Sequence, residues 1–371
     1  GGNMPIVIVK KGQEAKKVKP TPVTQEDRLQ KYIQENPDLI PLDELREDLR
    51  LFVIAREFQT SSGPVDVLAV DDEGGLYIIE TKLYKNPDKR LVIAQVLDYG
   101  AALWSRFRES PDVEAAIDEV VREKWGAPFR EKLREFLGVD EEEVASVLNR
   151  LQADIRAGRF TFIVLMDRLH ERLKDLIAFL NMSSGLTVLA CEVEFYRHED
   201  WEIAIPKLYG AETRKAAGGE GASGARRRWD EEAFFEELRA RVGVVVEEKI
   251  REFYDYVRRT ADQIAWGKGR DWGSFGPKYE RISPRSLFTV WSDGRLTVNF
   301  GWLEDQGEAA EFRKKLKDML TDRLGLRFPQ DYERKWPSFK AEQWVGRVRE
   351  LIEGLDELIG RQAGKGGVGE S

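Results

Sequence analysis

Cysteine is almost missing from this chain. Cys191 is the single one among 371 residues, which excludes a disulfide framework and a cysteine-rich zinc site and suits a reducing, cytoplasmic setting. Histidine is nearly as scarce, with only His170 and His198. That leaves little room for histidine-metal nuclease motifs or Ser-His-Asp triads. No apolar run approaches the roughly 20 residues of a membrane-spanning helix. Nor is there an excess of positive charge: 59 lysines and arginines face 67 acidic residues, a net charge of −8, so no global field draws the chain to nucleic acid. What remains for hydrolytic chemistry is carboxylate, lysine and oxygen-binding metal ions.

The residues present are 42% hydrophobic and 34% charged, the balance of a globular chain with many solvated helix faces. Its length has room for two cores. Residues 1–23 read as a basic, flexible tail carrying Lys10, Lys11, Lys16, Lys17 and Lys19, with a short strand in "PIVIVK". A helix follows from a cap at Thr24 to near Pro37. "LFVIAREF", "GPVDVLAV" and "GLYIIETKL" then read as three strands, punctuated at Ser61-Ser62-Gly63 and Asp72-Glu73-Gly74-Gly75. "LVIAQVLDYGAALWSRF" has helical spacing, residues 109–158 read as an inserted helical subdomain, and a strand, a helix and a long strand complete a domain over 24–210. The implied class is α/β, a mixed sheet flanked by helices. Residues 211–228 form a Gly/Ala-rich linker, 229–362 an α+β domain, and 363–371 a disordered tail.

"ETK" at 80–82 puts an acid and a base two residues apart, so both side chains share one face of a strand. Alone this means little, because the same triplet recurs at Glu14/Lys16, Glu247/Lys249 and Glu333/Lys335. An ordinary ion pair would explain it. The surroundings differ, however. The preceding strand carries Asp66 among apolar residues, where a carboxylate is costly unless paired or metal-bound. If the two strands are neighbours, Asp66 and Glu80 converge. A divalent cation would relieve their repulsion, and hard carboxylate oxygens suit Mg²⁺ or Mn²⁺. Glu26 sits on the helix before the strands, and Gln95 and Tyr99 share a face of the helix after them.

Taken together, Glu26, "PVD" with Asp66, "ETK" with Glu80 and Lys82, and "QVLDY" with Gln95 and Tyr99 resemble the PD-(D/E)XK nuclease superfamily. The Q-x-x-x-Y element is similar to that of its RecB-like branch. The wider stretch is similar to the catalytic domain of archaeal mismatch endonucleases and their bacterial relatives, over roughly residues 24–200 without the insertion. The resemblance implies a restriction-endonuclease-like αβββαβ core. It implies that Asp66, Glu80 and the Thr81 carbonyl bind the metal, with Glu26 assisting, and that Lys82 handles the attacking water. Gln95 and Tyr99 would hold the substrate backbone or orient the ligands. The implied activity is hydrolysis of DNA phosphodiester bonds with Mg²⁺ or Mn²⁺, in DNA defence or repair. Pro64 stands two residues before Asp66, a relaxation to P-x-D that removes no ligand.

The C-terminal domain is read from its residues only. "AWGKGRDWGSFGPKYE" interleaves Trp266, Trp272 and Phe275 with Lys268, Arg270 and Lys278. Such a stretch can stack bases and hold phosphates, or it can be a hairpin packing its tryptophans inward. Two further readings of the whole chain stay open. One is a catalytically inactive module that binds or senses nucleic acid; the other is a protein-interaction scaffold. A homodimer would suit cutting both strands.

Overall fold

The three apolar runs after residue 50 fold as a meander, because each turn between them is specified by its own side chains. The computed structural model describes residues 5–9, 14–47, 49–86, 91–109, 113–139, 141–212, 229–267 and 272–363. The chain divides into two units, 1–133 with 141–223, and 134–140 with 224–371. In chain order the first holds β1 (Ile6–Ile8), β2 (Lys16–Val18), α1 (Glu26–Glu35), β3 (Leu51–Thr60), β4 (Gly63–Asp71) and β5 (Leu76–Lys82). Helices α2 (Val92–Glu109), α3 (Val113–Trp125), the first part of α4 (Phe129–Leu137) and α5 (Glu141–Arg156) follow. Then come β6 (Phe160–Met166), α6 (Glu171–Ser183), β7 (Thr187–His198) and β8 (Trp201–Tyr209).

Among the described residues, strands β3 to β8 form one mixed sheet in sequential order. Strands β5, β6 and β7 are parallel neighbours and the rest pair antiparallel. Strand β5 lies between β4 and β6 and is buried along nearly its whole length. That explains why "LYIIE" reads as a continuous apolar run rather than an alternation. Helix α1 covers one face, packing Leu29 and Ile33 against Val67, Tyr77, Ile79, Ile163 and Leu189. Helix α2 covers β5 and β6 from the other side. It comes close because Gly100 has no side chain: a Cβ there would sit 2.7 Å from the Phe162 ring.

The β4–β5 turn is held by a buried carboxylate. Asp71 Oδ1 accepts from the Glu73 and Gly75 N–H groups at 2.9 and 2.7 Å, and its Oδ2 accepts from the Tyr77 hydroxyl at 3.0 Å. Burial pushes its pKa up to about 6, against the pull of the Arg46 guanidinium. Arg46, itself buried, pairs with Asp72 and, at 3.0 Å, with Glu73. These contacts lock the turn and with it the register of the two strands it joins.

Several expectations change. Thr24 does not cap α1, which starts at Glu26 behind Gln25 without a side-chain cap. Part of the expected basic tail is a hairpin, β1 on β2, and Thr21 N–H donates to the Phe195 carbonyl on β7 at 2.7 Å. Strand β8 escaped the sequence pattern because it is a half-exposed edge strand carrying Pro206. Lys10 and Lys11 lie outside the described residues, as do nearly all of the expected linker and the 364–371 tail.

Cys191 sits in the α1-side core, fully buried, and burial pushes its thiol up to about 12. It is expected not to react with a thiol-specific reagent at pH 8 in the native protein and to react fully in denaturant. Stoichiometric labelling of the native protein would contradict this placement.

The second unit contains helices α7 (Glu231–Val242) and α8 (Val244–Thr260), then strands β9 (Gln263–Trp266), β10 (Ser274–Tyr279), β11 (Ser283–Ser286), β12 (Phe288–Trp291) and β13 (Leu296–Val298). Helix α9 (Gly307–Leu324), strand β14 (Ser338–Phe339) and helix α10 (Val348–Ala363) follow. The strands form an antiparallel sheet, and Asp293-Gly294 turns the expected β12–β13 hairpin. Its core is aromatic, built on Phe234, Phe253, Phe275, Phe288, Phe300 and Trp344. Among the described residues no helix is long and apolar enough to cross a membrane.

Candidate functional site

Pairing of Val67 with Ile79 and of Val70 with Leu76 fixes β4 against β5, and the same register carried one step further sets Asp66 opposite Glu80. Val67 and Ile79 point into the α1-side core, so alternation turns Asp66, Glu80 and Lys82 to the opposite face, the one α2 covers. Asp66 Oδ2 accepts from both the N–H and the hydroxyl of Thr81, each at 2.7 Å. Lys82 Nζ lies 3.3 Å from Glu80 Oε1. The Glu80 side chain is 1% exposed, and its other oxygen, Oε2, is buried with no hydrogen-bond donor. The Asp66 carboxyl lies close enough to Glu80 for the two acids to share a proton.

The electrostatics follow from that crowding. Burial pushes the Glu80 carboxyl up to about 8, with the Asp66 charge adding to it and Lys82 opposing. Asp66 is also raised: burial outweighs its hydrogen bonds from Thr81 and the Lys82 charge. Burial alone would depress Lys82, but the carboxylates of Glu80, Glu26 and Asp66 outweigh it and raise the amine. The acid pair therefore demands positive charge, and one lysine does not fully supply it.

Glu26, at the first turn of α1, reaches over the end of β5. Its Oε1 accepts from the Leu83 N–H at 2.9 Å and from the Asn86 amide at 3.0 Å. On α2, Gln95 Nε2 donates to the Tyr99 hydroxyl at 2.8 Å. The Tyr99 ring lies against the start of β4, its Cε1 3.9 Å from where a Gly63 Cβ would stand. Burial raises the Tyr99 phenol, as do the charges of Glu80 and Asp66, while its bond from Gln95 opposes. Glu26, Asp66, Glu80, Thr81, Lys82, Gln95 and Tyr99 thus converge at one end of the β4–β5 pair.

Residues 25–91 match the family model of the endonuclease NucS C-terminal domain. This stretch runs from α1 past β5, so it contains Glu26, Asp66, Glu80, Thr81 and Lys82, while Gln95 and Tyr99 lie beyond it. The similarity supports a relationship to NucS-like endonucleases. No curated protein and no solved structure matches the chain.

Among the described residues no cluster of three or more His, Cys, Asp or Glu side chains is arranged to hold a metal ion. A magnesium ion does not require one: it keeps several waters and is commonly held by one or two carboxylates together with substrate phosphate. The donor set here is hard oxygen, and the undonated Glu80 Oε2 beside Asp66 is the feature a small divalent cation would satisfy. Glu26 Oε1 is already committed to the backbone after β5.

In the aromatic-cationic stretch of the second unit, Trp266 and Phe275 pack inward among the described residues. Trp266 packs on Phe234, Tyr254 and Phe275 with ring centroids 5.9, 5.8 and 5.9 Å away. Lys278 is a half-buried β10 residue paired in register with Gln263 and Ser286. Lys268 and Arg270 lie outside the described residues.

Sequence reasoning missed a second group beside the first. Asp167 and Arg168, just past β6, meet Tyr84, just past β5. The Tyr84 N–H donates to Asp167 Oδ1 at 2.7 Å, and the Arg168 guanidinium stands 4.9 Å from the Tyr84 ring centre. The available signal was a charged pair directly after the apolar run "TFIVLM", because ligands in open α/β sheets gather at the carboxyl ends of strands.

Proposed function

We propose that the first unit is a DNA-cleaving endonuclease of the PD-(D/E)XK type, RecB-like in its Gln95 and Tyr99, on a restriction-endonuclease-like core and acting in DNA defence or repair. The observation that carries this reading is the buried Glu80 beside half-buried Asp66, with one Glu80 oxygen lacking a donor and Lys82 on the same face. A purely structural ion pair would leave no such deficit of positive charge. The match to a nuclease family over the stretch carrying five of these residues supports the same reading.

In this reading the Asp66 and Glu80 carboxylates and the Thr81 carbonyl hold Mg²⁺ or Mn²⁺. When bound, the cation would acidify water and neutralise charge developing on the phosphate oxygens. Thr81 orients Asp66 through two short hydrogen bonds. Lys82, 3.3 Å from Glu80 Oε1 on the same face, would orient the attacking water as an ammonium and steady the charge developing on the phosphate. Gln95 and Tyr99 offer an amide and a phenol to the substrate backbone at the start of β4. Glu26 fixes the chain beyond β5 and with it the height of Lys82. Two copies acting together would cut both strands of a duplex.

The test is cleavage of labelled single-stranded, duplex, mismatched and flapped DNA with Mg²⁺, Mn²⁺ or EDTA, for wild type, Asp66→Asn and Lys82→Ala. Metal-dependent cutting is expected, lowered about 10²- to 10⁴-fold in Lys82→Ala and at least as far in Asp66→Asn. DNA binding without cutting, equal in all three proteins, would refute the catalytic reading.

A further inference from the structure

Arg168 is half-buried, and among the described residues its one contact of any electrostatic kind is the face of Tyr84. Keeping a guanidinium partly out of water without a carboxylate is costly, and a ring face repays only part of that. Its support is nevertheless rigid. Tyr84 is tied by its N–H to Asp167, and its ring stacks on that of His170 with centroids 4.3 Å apart and planes 26° apart. The parallel register that pairs Lys82 with Met166 brings residue 168 alongside residue 84. Arg168 therefore stands just past the carboxyl ends of β5 and β6, on the same end of the sheet as Lys82.

We propose that Arg168, carried on Tyr84 and braced by Asp167 and His170, is a second phosphate-binding point that grips the DNA strand beside the cleaved bond. This rests on the nuclease reading, which supplies the first phosphate position at Asp66, Glu80 and Lys82. The ligand is a phosphodiester anion, which a planar guanidinium matches with two parallel N–H donors. The Tyr84 face fixes the plane of that guanidinium before substrate arrives. Arg168 contacts the backbone and not the base edges, so it contributes hold and register without sequence preference.

Two measurements test this. In the Glu80→Gln protein in EDTA, where DNA is expected to stay intact, binding of a labelled oligonucleotide is titrated across salt concentrations with Arg168, Arg168→Gln or Arg168→Lys. Arg168→Gln is expected to weaken binding about 5- to 10-fold at low salt and to reduce the slope of log affinity against log salt by about 0.9, while Arg168→Lys keeps the slope. In the otherwise wild-type enzyme, Arg168→Gln is expected to raise KM about 10-fold with kcat within about 2-fold. An active wild type whose salt slope and KM do not move in Arg168→Gln would overturn this proposal alone, leaving Arg168 as packing for Tyr84. A wild type that neither binds nor cuts any DNA would overturn the nuclease reading and this proposal together. Melting curves of both Arg168 variants separate loss of binding from loss of fold.

Discussion

Glu80→Gln is expected to lower cleavage about 10³-fold and, in EDTA at pH 9, to make the protein more stable. The two effects have one cause. Glu80 is 1% exposed and its carboxyl is pushed up to about 8 from an ordinary 4.5. A carboxyl raised on folding binds its proton more tightly in the native state. Its burial therefore costs nothing below about pH 4.5, and stability is lost as pH rises from there through about 8. At 1.36 kcal/mol per pH unit the ceiling is about 5 kcal/mol. Glutamine removes the charge but also takes from Lys82 its closest partner, so a net gain of about 2–3 kcal/mol at pH 9, vanishing at pH 5, is the expected result. Activity should fall about 10³-fold, because the same charge is what a cation and the transition state would use. Denaturant unfolding of both proteins in EDTA at pH 5 and pH 9, beside the cleavage assay, decides it. A variant less stable than wild type at pH 9 would mean that Glu80 is a satisfied structural partner of Lys82.

Removing Arg46 should cost more stability than any other single change considered for the first unit. Its side chain is 1% exposed and stands among Asp71, Asp72 and Glu73 at the β4–β5 turn. Arg46→Met leaves those carboxylates without their buried cation, a loss of about 3–5 kcal/mol at neutral pH. The deficit depends on pH in a definite direction. Asp71 is already raised to about 6 by burial, with Arg46 pulling it down. Without Arg46 it rises further, so the penalty is smaller at pH 4, where native Asp71 is largely protonated, and grows as pH rises. The denaturation midpoint of Arg46→Met at pH 4 and pH 7.5, compared with wild type, reads this out. Equal deficits at both pH values would show that lost packing, and not lost charge, is the cause.

Much of the candidate site was legible because its parts are local. The period of two in "ETK" places Glu80 and Lys82 on one face wherever β5 lies, and the i, i+4 spacing of Gln95 and Tyr99 ends in a 2.8 Å hydrogen bond. The order of elements was legible for the same reason. The misses are those whose signal is non-local. Strand β8 borrows its ladder from β7 and shows water one edge, so its own pattern is weak. Tyr84 lies 83 residues before Asp167 across the helical insertion, and the two meet because β5 and β6 are parallel. Glu26 was visible as a carboxylate near the site, but not that it would bond the Leu83 N–H.

Composition and spacing by themselves determined which chemistries were open to this protein. With one cysteine and two histidines, only carboxylate, lysine and oxygen-bound metal remained, and the spacing named Asp66, Glu80 and Lys82 as the residues to watch. Whether those groups meet, and in what state of charge, only the tertiary structure decided. The Arg46-braced turn sets the register that brings Asp66 opposite Glu80, and α2, seated closely at Gly100, buries the pair. Burial then raises both acids, because a charge removed from water must find another partner. No property of residues 66 and 80 taken separately contains that.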